Sequence, residues 1–256
     1  MFAVAISDPK QVTLQWLRLG GIIALSMAGL SLFFYVRSYS QSTLSQTLLR
    51  VQVGLLIATV VAVLAQLAFA QVAWRSTQRI AAASAFVFSV LAGCNLLHEM
   101  MVVQGTAVDF PPKMLSMALQ TLTCAGVSAM CGVALMDMLL GHAYLTASKM
   151  TIHPFRRLNL TLAALLAVRG VCAIGLTVAL HTWRPVEMLW GVHGLLMITR
   201  WLVGLLLPVV FIYMAHDCIK RRSTQSATGI LYVAGLLIFL GEMVALQLVR
   251  STGLPF

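Results

Sequence analysis

The sequence predicts an all-α, polytopic integral membrane protein. It reads as one helical bundle over residues 1–256, with seven transmembrane helices, the N-terminus inside and the C-terminus outside. Composition is the first observation behind this. Of 256 residues 60% are hydrophobic and only 9% are charged, whereas soluble domains carry about 25% charged residues. The second is the length of the apolar runs. A hydrocarbon core of roughly 30 Å takes about 20 helical residues to cross, and seven runs are that long. The third is that Lys and Arg collect at the ends of these runs. A soluble enzyme is excluded, and so is a disordered chain, because the apolar content is far too high. The runs are continuous rather than alternating, which excludes a β-barrel.

In chain order the expected spans are Leu17–Val36, Val51–Trp74, Ile80–Gln104, Met114–Leu140, Leu158–His181, Val186–Ala215 and Thr228–Val249. Basic residues, proline or a polar cluster bounds each. The sixth is the longest and contains Pro208, which removes one backbone hydrogen bond, so a tilt or kink is expected there. The N-terminal MFAVAISDPKQ lacks the basic start, apolar run and small-residue cleavage site of a signal peptide. The first span is therefore expected to remain as an anchor. Loops are short and no soluble domain is expected, which confines any chemistry to the bilayer or its edges.

Orientation follows from Lys and Arg. With the N-terminus inside, the inner segments hold Lys10, Arg18, Arg75, Arg79, Lys149, Arg156, Arg157, Lys220, Arg221 and Arg222, ten in all. The outer segments hold Arg37, Arg50, Lys113, Arg184 and Arg250, five in all. Arg169 and Arg200 lie within spans. The net charge of +10 is thus an orientation signal beside anionic lipid rather than a nucleic-acid surface. The expected setting is a bacterial-type inner membrane. The expected partners are the lipid bilayer and other subunits of a membrane complex, with no nucleic acid.

Two short patterns recur. RSTQ stands at Arg75–Gln78 and again at Arg222–Gln225, ahead of spans three and seven. EMMVVQ (Glu99–Gln104) and EMVALQ (Glu242–Gln247) close the same two spans. A duplication would be parallel and offset by four helices. Either way, two helices of the same direction each carry a carboxylate in the outer half, Glu99 and Glu242.

Charges inside a span cost roughly 2.5–3.5 kcal/mol on insertion scales, so each calls for a partner or a purpose. Span six carries Trp190, His193, Met197, Arg200 and Gly204 at three- and four-residue steps, one stripe of a helix. Span seven repeats the pattern with Thr228, Tyr232, Gly235, Phe239 and Glu242. These stripes either line an interior cavity or serve as polar glue between helices.

Two redox ligands suit the cavity. A b-type haem would take His98 and His193 as axial imidazoles to its iron. A quinone or quinol needs a hydrogen-bond donor to its carbonyl and a group that exchanges the proton. Arg200, His193 and Glu242 supply these types, with Trp190 and Phe239 as ring contacts. Asp137, His142 and Glu99 are the candidate proton relay. The bland alternative pairs Asp137 with Arg169 or Arg200 and leaves His142 to cap span four.

Other chemistries find less support. The five cysteines form no CxxC and read as small buried hydrophobes. Fourteen methionines, with Cys94 and His98 close to Met100 and Met101, would suit copper, but methionine is a common filler of apolar cores. HExxH and GxSxG are absent, and no span interior holds a lysine for a retinal Schiff base. The loop Gly141–Asn159, with His142, Tyr144, His153 and its basic residues, reads as an interfacial aromatic and basic belt.

The expectation is an anchor or electron-transfer subunit of a respiratory-type complex, with an intramembrane site for quinone or haem b. In architecture alone the chain is similar to the membrane anchors of bacterial respiratory complexes. The alternatives are a non-redox transporter of small molecules or lipid, and a structural subunit without a cofactor.

Overall fold

The computed structural model describes residues 1–7, 12–39, 46–72, 74–103, 113–146, 151–181 and 186–252. Among them the chain forms nine α-helices and no strand: α1 Phe2–Ile6, α2 Leu14–Tyr39, α3 Gln46–Val72, α4 Arg75–Val103, α5 Lys113–Thr146, α6 His153–His181, α7 Val186–Trp201, α8 Leu207–Lys220 and α9 Thr224–Thr252. Seven spans are long and apolar enough to cross a membrane, with α7 and α8 together making the sixth. The chain is a multi-pass membrane protein. Its outward side chains are apolar, such as Phe34 at 61% and Leu195 at 78% exposed. A soluble protein would place polar groups there, and hydrocarbon is the solvent in which this surface costs nothing.

Two compact units make up the chain, Met1–Glu99 and Met100–Phe256. In the first, α3 carries a regular seam. Leu49, Gln52, Leu56, Thr59, Val63, Gln66 and Ala70 are all buried, at alternating steps of three and four. That is the knobs-into-holes spacing of packed helices. Every second position in the seam is polar. Gly21 on α2 lets Gln66 come close, since a Cβ there would stand 2.6 Å from Gln66 Oε1. The short α1 packs on α4: Phe2 and Phe86 have ring centroids 5.2 Å apart, and Arg79 Nε donates to the Ala5 carbonyl at 3.0 Å. This helix lies outside the seven expected spans because it is too short to register as one.

In the second unit α5 and α9 form the interior, with Met130, Leu140, Leu231 and Ile238 fully enclosed. Two close approaches set its geometry. A Cβ at Gly204 would stand 2.7 Å from Gly241 Cα, and one at Gly141 would stand 2.6 Å from Thr228 Oγ1. The expected disturbance at Pro208 takes a definite form, a π-turn over Leu202–Leu206 immediately before α8. A proline ring clashes with the carbonyl four residues back, here that of Gly204, and the wider π-turn makes room for it. α8 ends with Arg222 at φ 59°. Ser223 N–H donates to Cys218 O at 2.9 Å and Arg222 N–H to Ile219 O at 3.1 Å. This double bond pattern is the Schellman stop of a helix, normally built on glycine.

The paired RSTQ segments both precede helices but differ in environment. Gln78 is buried, whereas Gln225 is exposed. Arg75 is already helical, whereas Arg222 is left-handed. The paired carboxylates do share one property: Glu99 and Glu242 are 4% and 2% exposed.

Candidate functional site

Polar groups gather in three places, one in the first unit and two in the second. The most highly charged is an ionic centre built by α6, α7 and α9. Arg169 Nη2 lies 2.7 Å from Glu242 Oε2 and its Nε lies 3.4 Å from Oε1. Arg200 Nη1 donates to the same Oε1 at 3.0 Å. The three side chains are 5%, 1% and 2% exposed. Depth explains why these three meet. At about 1.5 Å per residue, Arg169 lies roughly 24 Å from the start of α6 and Glu242 roughly 27 Å from the start of α9. Arg200 lies roughly 30 Å from the far end of α8 on the same count. Gly126 on α5 leaves room for the arginine, since a Cβ there would stand 2.9 Å from Arg169 Cδ.

The centre carries two guanidinium groups on one carboxylate. Ionised, it has one positive charge in excess, held away from water. Arg200 Nε and Nη2 are buried with no hydrogen-bond partner among the described residues. An orphaned charged donor in such a place costs more than an ordinary hydrogen bond is worth.

The expected pairing of Asp137 with Arg169 or Arg200 is corrected here: both arginines bind Glu242 instead. Asp137 lies only about 14 Å from the end of α5, well short of their depth. It heads the second cluster, with Asn159 on α6 and His216 on α8. Asp137 and Asn159 are wholly enclosed. Asn159 Oδ1 lies 3.2 Å from His216 Nδ1. Asn159 Nδ2 and both Asp137 oxygens have no hydrogen-bond partner among the described residues. A groove of about 290 Å³ opens beside Asn159 and His216, between α6 and α8.

The third cluster lies in the first unit. The Tyr35 hydroxyl donates to both Glu99 oxygens at 3.1 Å. Asn95 Nδ2 donates to Glu99 Oε1 at 3.1 Å and to Gln52 Oε1 at 2.9 Å. Gln52 Nε2 donates in turn to the Ala92 carbonyl at 3.1 Å. A cavity of about 330 Å³ adjoins this chain, with Tyr35, Gln52 and Thr59 among its lining.

The remaining expected residues are placed as follows. His193 is half-buried, two helical turns from Arg200 on the same stripe as Met197. The stripe therefore holds through Met197 and Arg200 on α7 and Gly204 in the π-turn, all buried. Trp190 lies in α7, but its side chain falls outside the described residues. On α9 the stripe holds at Thr228, Gly235 and Glu242, while Tyr232 and Phe239 are 45% and 39% exposed. The buried arc runs instead through Leu231, Ile238 and Ala245, three residues on from Thr228, Gly235 and Glu242 rather than four. His98 is exposed although Glu99 beside it is buried, and His142 is exposed on α5. Asp137 and His142 are five residues apart, about 140° around a helix, so they do not share a face. Tyr144 stacks on Phe155 with centroids 5.2 Å apart and donates its hydroxyl to the Thr151 carbonyl.

Three contributors carry little signal in the sequence: Tyr35, Gln52 and Asn159. The seven-residue spacing of Gln52, Thr59 and Gln66 is the available signal for Gln52. Tyr35 and Asn159 lie near helix ends, where polar residues are ordinary. Among the described residues no group of three or more His, Cys, Asp or Glu side chains is placed to hold a metal ion. Comparison with known protein families, with curated proteins and with solved structures finds no match.

Proposed function

We propose that the chain is a membrane-embedded subunit whose ionic centre, Arg169–Glu242–Arg200, receives an oxygen of a lipid-soluble redox ligand, a quinone or quinol. One observation carries this reading: two buried nitrogens of Arg200 have no hydrogen-bond partner among the described residues while the third is held by Glu242. A guanidinium offers five N–H donors in a fixed fork. The carbonyl oxygen of a quinone is an acceptor that would satisfy the orphaned pair, and reduction of the ring would place negative charge beside two cations. Glu242 is the adjacent group that exchanges a proton, and His193 lies on the same helix face as Arg200. The π-turn directly after Trp201 supports the reading, since such turns are frequent at functional sites.

The haem form of this reading would need His98 and His193 together. His98 is exposed, and the buried donors of Arg200 give the quinone form the more support. Asp137 and Glu99 are the further groups for proton exchange, each at its own end of a span. The chain would act as an anchor or electron-transfer component beside other subunits in a bacterial-type inner membrane, oriented N-in and C-out by its basic residues.

A second reading has its own observation. Each member of the centre comes from a different helix and all three are bonded through Glu242. That is the arrangement of a structural clamp, in a chain with no cofactor or in a transporter. Arg200→Met separates the two, because it removes the donors, keeps the bulk and leaves Arg169 paired with Glu242. The quinone reading expects ligand extracted from the purified wild type by organic solvent and lost from the variant. The clamp reading expects no quinone in either and a lower melting temperature in the variant.

A further inference from the structure

The groove between α6 and α8 has a distinct composition. Ala163 and Ala167 form an open floor on α6, Ile212 and Tyr213 wall it on α8, and Asn159 with His216 closes one end. Tyr213 is 74% exposed, so the wall stands out into the surrounding lipid. From Asn159 to Ala167 the groove runs about 12 Å, at 1.5 Å per residue. Its closed end is polar, formed by Asn159 and His216, whose Nδ1 lies 3.2 Å from Asn159 Oδ1. That end is also electropositive. Arg156 and Lys220 lie near enough to act on His216, while the nearby Asp217 is paired with Arg221 at 3.0 Å. Asp137 does not line the groove.

We infer that this groove is a binding site for an anionic phospholipid. One acyl chain lies along Ala163, Ala167 and Ile212 beneath Tyr213. The phosphate sits at the polar end of the groove, between Arg156 and Lys220. Charge complementarity selects this occupant. A zwitterionic lipid would fill the apolar part equally well but gain less from the basic rim, which is the general logic of basic pockets between helices. The site is separate from the ionic centre and does not depend on a quinone binding there.

Native mass spectrometry on the full chain tests the inference, with mixed phosphatidylglycerol and phosphatidylcholine micelles as the probe. Wild type should retain one phosphatidylglycerol in preference to phosphatidylcholine. The double variant R156Q/K220Q should lose that preference by roughly 30-fold, the loss of two basic groups near a lipid surface. Ala163→Trp fills the groove and should abolish retention of either lipid there while leaving the melting temperature within a few degrees. Equal retention of both lipids by the wild type would overturn the assignment. So would an undiminished phosphatidylglycerol preference in both variants, or displacement of the lipid by added quinone but not by added phosphatidylglycerol.

Discussion

Glu99 and Glu242 end similar short sequences and are almost equally buried, yet they are neutralised in opposite ways. Glu99 accepts hydrogen bonds from a tyrosine hydroxyl and an asparagine amide. Glu242 is held by two guanidinium groups. A carboxylate met by neutral dipoles leaves its neighbours nearly whole when it is removed. A carboxylate met by two cations takes an ion pair from each of them when it is removed. Burial and sequence context alone therefore do not tell what a membrane carboxylate does; the charge of its partners does.

The largest effect should come from breaking the ionic centre. Glu242→Ala removes the carboxylate that Arg169 and Arg200 share, and loss of one partner from a buried pair costs about 3–5 kcal/mol. Thermal unfolding in detergent should show the variant strongly destabilised or unable to accumulate. A loss below about 1 kcal/mol would mean that water reaches the arginines. The matching change in the first unit, Glu99→Gln, should cost about 1 kcal/mol, because the new amide oxygen still accepts from Tyr35. An equal loss at both positions would erase the contrast between the two regions. The smallest effect concerns the helix stop at Arg222. Arg222→Gly removes a left-handed backbone penalty and should stabilise the protein by about 0.5–1 kcal/mol, read as a small rise in melting temperature.

The spans were legible in the sequence because length and hydropathy decide them. Five of the seven expected segments fall wholly within helices, Val51–Trp74 and Ile80–Gln104 extend past the ends of α3 at Val72 and α4 at Val103, and the disturbance at Pro208 lies where proline's geometry requires it. Facing was harder. In a bilayer both the inward and the lipid-facing sides of a helix are apolar, so hydropathy carries little rotational information. That is why the α9 stripe was drawn through Tyr232 and Phe239 when the buried arc passes through Leu231 and Ile238. Buried charges gave the better guide: Arg200 and Glu242 were each placed on the correct face, because an ion has nowhere else to go. Partner choice was not legible. The alternative pairing of Asp137 with the arginines fails because helix lengths place them at different depths.

The proposed quinone site is the place where the two regions can be told apart by ligand. Among the described residues, the neutral partners at Glu99 leave no orphaned donor on that carboxylate's own bonds, whereas Arg200 keeps two. Photolabelling of the purified full chain with an azidoquinone, followed by mass spectrometry of the adducts, tests this most directly. The account predicts adducts on α7 and α9 around Arg200 and Glu242, suppressed by excess unlabelled quinone and absent in Arg200→Met. Adducts confined to the cavity lined by Tyr35 and Gln52, or labelling that excess quinone does not suppress, would contradict it.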